Sequence, residues 1–436
     1  MFACSVAAAS RPCAADDSAP ASPGLAATST VQILQAQRAG ELDVVVRGNG
    51  ADRVKFTIAN RSGRRLKVVL PPGLVAASSL GQGGLGGGFQ SMGLGLPTDQ
   101  PGRFGRFSAH QAADSQGFRS IDVASGEADA ALTIPAAETI DLLVPSVCLD
   151  FGVDTPTPRN IFHLVDVDEY TQDPRARKAL RSLATLGTSQ GVAQVVAWYV
   201  FNQMSYAQIA QQGSKYINPD EVSVAARFVD ALDASGDSEL VDPAYFQHGR
   251  ILLRVTGQNS GVKAAARLRE EMATQRLFGL PAQVVDEISD DNSRVSSLLV
   301  DLQILGPGSR PGQTKAKALV RHNAALGGWT RLGSVDLTID SPQETLTAEA
   351  LAAELDRGIA AAFVSATPAK RSPGQTTLRV VNRLPFTLQN VVLRTSRSEN
   401  APVVTLEGLG VGPRRSAMAA VPAPLGLVDR VEINGL

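Results

Sequence analysis

Two stretches near opposite ends of the chain read as the same β-hairpin. Phe56-Thr57-Ile58-Ala59-Asn60-Arg61 with Leu66 lines up, in constant register and without a gap, with Leu378-Arg379-Val380-Val381-Asn382-Arg383 with Leu388. Residues 54–60 alternate in and out with period two, the mark of a strand buried on one face. Each stretch then reaches an Asn-Arg pair where a hairpin should turn. Asparagine suits that position because it tolerates left-handed backbone and bonds to its own main chain. Any strand-turn-strand shares part of this pattern; the common Asn-Arg and the later Leu at fixed spacing point to an internal repeat.

A chain of 436 residues has room for two to four cores. Its 40 glycines and 25 prolines, with few aromatics, favour turn-rich β structure. The pattern predicts a multidomain protein of mixed α and β class. Residues 1–30 read as a leader and disordered linker. Residues 31–149 read as a β-sandwich-like module carrying a glycine-rich surface loop at 81–105. That loop lacks the strand, helix and lysine of a phosphate-binding loop. Residues 150–243 turn helical: Asp173-Pro174, Ser189 and Asn218-Pro219 are helix starts. Residues 244–370 read as an α+β module, with Ser260 capping one helix, a hairpin turn at Gly327-Gly328 and an amphipathic helix from Leu346 to Phe363. Residues 371–436 form a small C-terminal β module.

Met1-Phe2-Ala3-Cys4-Ser5-Val6-Ala7-Ala8-Ala9 resembles the tail of a secretion signal without its basic beginning. Phe2-Ala3-Cys4 also looks like the end of a lipoprotein cleavage site, which would put a lipid anchor on Cys4. The expectation is an exported protein, periplasmic, on the cell surface or extracellular. No apolar run spans a bilayer, and a net charge of -1 gives no global footprint for nucleic acid.

If Cys4 and Cys13 leave with the leader, Cys148 remains as a single unpaired thiol, and an odd cysteine in an exported protein asks for a reason. One reading is a buried structural cysteine, with Gln194 on a helix surface and Trp198 as a core anchor. The other is reactive chemistry. The four histidines, His110, His163, His248 and His322, show no ligand spacing, so neither zinc nor any other cofactor is expected. Acidic clusters at Asp166-Val167-Asp168-Glu169, at Asp230 to Glu239 and at Asp290-Asp291 read as helix caps and solvated loops. There is no Gly-x-Ser-x-Gly elbow and no His-Glu-x-x-His motif. An enzymatic alternative would place its site in the α+β module around His322, Trp329 and Asp336. The expected partners are envelope or extracellular proteins or glycans.

Two resemblances bear on Cys148. The run Ala193-Gln194-Val195-Val196-Ala197-Trp198, with Cys148-Leu149-Asp150 and Pro156, is similar to the thioester domains of bacterial surface adhesins. There a Cys side chain condenses with a Gln side chain, and the resemblance implies Cys148 and Gln194 as the pair. This chain departs from the pattern at Ala193, where the family has Thr or Ser. The wider layout resembles a family of exported bacterial proteins of uncharacterised activity. It is carried by Asn60, Leu66 and Pro71, by Val147-Cys148-Leu149 with Gly152, by Ala197-Trp198 with Met204-Ser205, and by Val411-Gly412-Pro413-Arg414-Arg415-Ser416. That likeness implies export and modularity and no activity.

Overall fold

The computed structural model describes residues 28–78, 88–96, 117–119, 130–186, 188–214, 216–236, 240–241, 250–288, 297–324, 327–340, 345–372, 375–388, 391–394, 403–406, 411–422 and 430–433. The chain is of mixed α and β structure, and its apolar side chains gather into two cores. One draws on residues from Ile33 to Val241, the other on residues from Ile251 to Val411.

The first core begins with β1 (Ser29–Gln32), α1 (Ile33–Arg38), β2 (Leu42–Gly48), β3 (Arg53–Asn60), β4 (Leu66–Leu70) and β5 (Leu74–Ala77). It continues through β6 (Met92–Leu94), β7 (Gly117–Arg119), β8 (Ala130–Ile134), β9 (Thr139–Cys148) and β10 (Ile161–Asp166). Strands β10-β2-β3-β9-β6-β5 close on themselves, beside a separate sheet β1-β4-β8. Two strands make the corners. The first part of β9 pairs with β3 and its last three residues with β6; β10 pairs first with β2 and then with β5. Strands that switch sheets are how two packed layers join at their edges, and this β-rich arrangement is compatible with a sandwich.

The glycine-rich stretch 81–105 is corrected in part. Residues 88–96 are no surface loop: Met92, Leu94 and Leu96 are buried in the first core and β6 is a barrel strand. The glycines there serve close packing. A Cβ on Gly95 would overlap the carbonyl oxygen of Phe118, and one on Gly93 would press on Leu180. Residues 81–87 and 97–105 lie outside the described residues.

Helices cover this β structure: α2 (Val167–Tyr170), α3 (Pro174–Leu186), then β11 (Thr188–Ser189), α4 (Gln190–Asn202), α5 (Tyr206–Gln212) and α6 (Pro219–Ala234). Their starts are the predicted ones. The Asp173 carboxylate accepts from the Arg175 N–H at 2.9 Å, Ser189 caps α4, and Asn218 with Glu221 forms a reciprocal capping box on α6. Ala179, Leu180, Leu183 and Ala184 all turn into the core, as their spacing requires.

The second core is built on a six-stranded sheet, β13-β14-β12-β15-β16-β17. Its strands are β12 (Arg250–Gly257), β13 (Arg276–Leu277), β14 (Leu280–Val284), β15 (Ser297–Pro307), β16 (Gln313–Ala324) and β17 (Gly327–Asp340), with helices α7 (Val262–Met272) and α8 (Ala348–Phe363). Two sequence details change. Gly327 already pairs with Ala324, so the Gly-Gly pair belongs to β17. No side chain caps α7; a single 3-10 turn, Asn259–Gly261, leads into it instead of a Ser260 cap. The chain ends in β18 (Val364–Ser372), β19 (Gln375–Asn382), β20 (Val391–Arg394), β21 (Val403–Leu406), β22 (Ser416–Pro422) and β23 (Arg430–Ile433).

The internal repeat is present at atomic detail. In the first copy β2, β3 and β9 pair with registers Leu42↔Asn60 and Ala59↔Thr139 to Arg53↔Pro145. In the second, β18, β19 and β22 pair with Val364↔Asn382 and Val381↔Ser416 to Gln375↔Pro422. Asn60 is buried and its amide donates to Arg64 O, Ile134 O and Pro135 O, while its Oδ1 accepts from Ser62 N–H. Asn382, equally buried, donates to Phe386 O, Val411 O and Gly412 O, and accepts from Leu384 N–H. Even the left-handed turn residue recurs, Ala137 at φ 58° and Arg414 at φ 53°. Each asparagine closes its own turn and ties it to the chain returning into the next strand, which is why this residue stands at both places.

Candidate functional site

The end of β9 meets one face of α4. Gln190, Gln194, Trp198 and Asn202 recur every fourth residue, so they stack on one side of the helix. Three of them bond to successive main-chain groups of the passing strand. The Gln190 amide donates to Ser146 O. Gln194 takes Cys148 at both ends: its Oε1 accepts from Cys148 N–H at 2.9 Å and its Nε2 donates to Cys148 O at 2.9 Å. Asn202 donates to Leu149 O and accepts from Phe151 N–H, each at 2.7 Å. These carboxamides replace the ladder partner that the strand end would otherwise lack. Trp198 packs edge-on against Phe151, with ring centres 5.0 Å apart.

Cys148 and Gln194 are therefore neighbours, although the carboxamide of Gln194 is engaged by the cysteine's main chain. The thiol has two acceptors within reach of its single S–H, Gln90 Oε1 and, at 3.2 Å, Asp150 O. Burial is the leading cause that pushes the thiol up to about 11 from an ordinary 9.0. At neutral pH the sulfur stays protonated. Beside it the Tyr170 hydroxyl is pushed up to about 12, first by burial and then by the nearby Asp150 carboxylate.

A cavity of about 450 Å³ opens over this junction. Cys148, Gln90, Gln190, Gln194 and Trp198 line one part, and Arg53 and Arg415 another. Arg415 comes from the second repeat. Its guanidinium pairs with Glu221 of α6, with Nε 2.8 Å from Oε1, and donates to Tyr216 O. Glu221 is fully buried; desolvation raises its carboxyl pKa against the opposing pull of Arg415. The pair fits because residue 191 is glycine: any Cβ there would overlap the Glu221 carboxylate.

Sequence reasoning named Cys148 and Gln194, which the structure places side by side; it did not name Gln90 as a site residue or connect Glu221 with Arg415. Gln90 lies in a stretch dominated by glycine, and the Glu221–Arg415 pair joins segments far apart in the chain. The other expected site residues stay separate. His322 is buried and points to Asp220, with Nδ1 3.6 Å from Oδ1, whereas Asp336 lies on the exposed face of the sheet. His163 is exposed on β10. Cys4, Cys13, His110 and His248 lie outside the described residues. Asp166 caps α2 and Asp233 pairs with Arg175, as expected of capping and solvated acids. Among the described residues no cluster of His, Cys, Asp and Glu is placed to hold a metal, and no helix is long and apolar enough to cross a membrane. No protein-family model matches the chain, and no curated protein matches it.

Proposed function

We propose that this is an exported, non-enzymatic binding protein of the cell envelope or extracellular space, and that the cavity between β9 and α4 is its ligand site. The observation that carries the reading is the cavity lining. Three glutamine carboxamides, which both donate and accept, converge with one tryptophan and two arginines in a concave space of ligand size. Such a set suits a polar, uncharged ligand with hydroxyl or amide groups, the chemistry of glycans and peptides. A sandwich-like module at 31–149, helices at 150–243, an α+β module at 244–370 and a β module at 371–436 would form the scaffold behind a leader.

Cosedimentation with purified bacterial envelope material tests this reading. Thr155 is exposed at the cavity wall, so Thr155→Trp fills the space without touching the core. The native chain should sediment and Thr155→Trp should remain in solution. Absence of native binding, or equal binding by both, refutes the site.

The contact between Cys148 and Gln194 favours a second reading, covalent attachment through a thioester. The sulfur would add to the Gln194 carboxamide carbon, the C–N bond would break, and ammonia would leave with the thiol proton. Gln194 would have to release the Cys148 main chain to do so. Intact mass decides: a native mass short by one ammonia, restored as the methylamide by methylamine and lost in both Cys148→Ala and Gln194→Ala, supports it. A full mass refutes it.

A further inference from the structure

A second cavity, of about 560 Å³, is lined from β16, β17, β19 and the turn before β22. Five of its lining residues are arginines: Arg331, Arg379, Arg383, Arg414 and Arg415. Arg415 has its carboxylate in Glu221. Arg414 has a longer contact, 4.0 Å, to the buried Asp220 carboxylate. Among the described residues no carboxylate pairs with Arg331, Arg379 or Arg383. His322 also lines the space; it is 3% exposed, and its Nδ1 faces the buried Asp220 carboxylate at 3.6 Å.

The first repeat is an internal control for what the fold itself needs. At the positions of Arg379, Arg383, Arg414 and Arg415 it carries Thr57, Arg61, Ala137 and Glu138 on the same backbone. Thr57 bonds to Asp141 at 2.6 Å and Arg61 pairs with Asp43 at 3.0 Å. The hairpin, its asparagine lock and its left-handed turn thus form without the arginine cluster. Cations gathered at one cavity repel one another; Asp220 and Glu221 offset this at Arg414 and Arg415, whereas among the described residues no carboxylate offsets it at Arg331, Arg379 or Arg383.

We propose that this cavity binds a small molecule bearing a phosphate or sulfate group. Planar guanidinium forks match a tetrahedral oxyanion with paired N–H donors, and the volume suits a small ligand. Thr330 and Ser416 add hydroxyls at the wall.

Isothermal titration of the full chain with inorganic pyrophosphate, inorganic sulfate and citrate, at physiological ionic strength, tests the site. Saturable binding of one pyrophosphate or sulfate per chain is expected. Arg331→Ala and Arg379→Ala, both at exposed positions, should each weaken it about tenfold. Arg61→Ala, the counterpart of Arg383 in the first repeat, should leave it unchanged. Tighter pyrophosphate than sulfate assigns a phosphate-bearing ligand, and the reverse order a sulfate-bearing one. The proposal is overturned by the absence of saturable binding, by citrate binding as tightly as either ion, or by Arg61→Ala weakening binding as much as the cavity variants do.

Discussion

The protonated thiol of Cys148 makes a quantitative prediction about alkaline stability. A thiol held at about 11 rather than 9.0 binds its proton more tightly in the folded state than in the unfolded chain. Below pH 9 both states are protonated and the group has no effect on the balance. As pH rises past 9 the unfolded chain ionises first, so stability falls until the folded thiol also ionises near 11. The full loss is about 3 kcal/mol, at ~1.4 kcal/mol per pH unit of displacement. Cys148→Ala lacks the titration and carries a cavity penalty that does not vary with pH. Urea unfolding of both proteins from pH 8 to 11 isolates the effect, because other titrations largely cancel in the difference. Native stability relative to Cys148→Ala should fall by an amount approaching that figure, and iodoacetamide at pH 8 should alkylate the folded chain about a hundredfold more slowly than a free thiol. A difference that stays flat across this range, or alkylation at the rate of a free thiol, would refute the buried-thiol assignment.

Three further outcomes are open to measurement. Burial pushes the Asp356 carboxyl up to about 7 from an ordinary 3.8, against the Phe278 N–H bond that lowers it. A raised carboxyl contributes stability at low pH that is lost as pH rises through 7. Asp356→Asn should therefore be more stable than the native chain at pH 8, with the gain vanishing by pH 4 in thermal melts. Arg415→Met should cost about 3–5 kcal/mol in urea unfolding by leaving Glu221 buried without its cation, and adding Glu221→Gln should recover much of that loss. Asn60→Ala and Asn382→Ala should each cost about 3 kcal/mol, since each strands buried carbonyls. Hydrogen exchange should place the first loss in the core containing Phe56 and the second in the core containing Val380.

The hairpins at both ends were legible because their information is local. A period of two and an asparagine at the turn lie within a dozen residues, and every helix capped by Asp173, Ser189 or Asn218 begins where the sequence marks it. Cys148 and Gln194 were legible as a pair only through resemblance, but the physical reason for their meeting is partly local too. A carboxamide every fourth residue of α4 is a row of hydrogen-bonding groups seeking a strand edge. What stayed hidden depends on non-local packing. Glycines read as loop formers, yet Gly93 sits in a buried strand and Gly95 just beyond its end, where the helix of Leu180 and the chain at Phe118 leave no room for a side chain. Composition could not distinguish the two uses of glycine, because both follow from the missing Cβ.

The divergence between the two repeats bears on the second cavity more than on the fold. Equivalent asparagines keep equivalent bonds, so the scaffold tolerates little change at those positions. The residue after the left-handed turn, by contrast, is Glu138 in one copy and Arg415 in the other. Glu138 is exposed. Arg415 instead crosses to Glu221, and its neighbour Asn218 donates to Pro413 O at 2.9 Å. The second copy is thereby fastened to α6, whose residues otherwise belong to the first core. Arg415 also lines both cavities. One guanidinium thus joins the two cores and forms part of the wall of two candidate sites. A ligand that draws Arg415 away from Glu221 at either cavity would alter the other, and pyrophosphate should change the alkylation rate of Cys148 in the native chain but not in Arg415→Met.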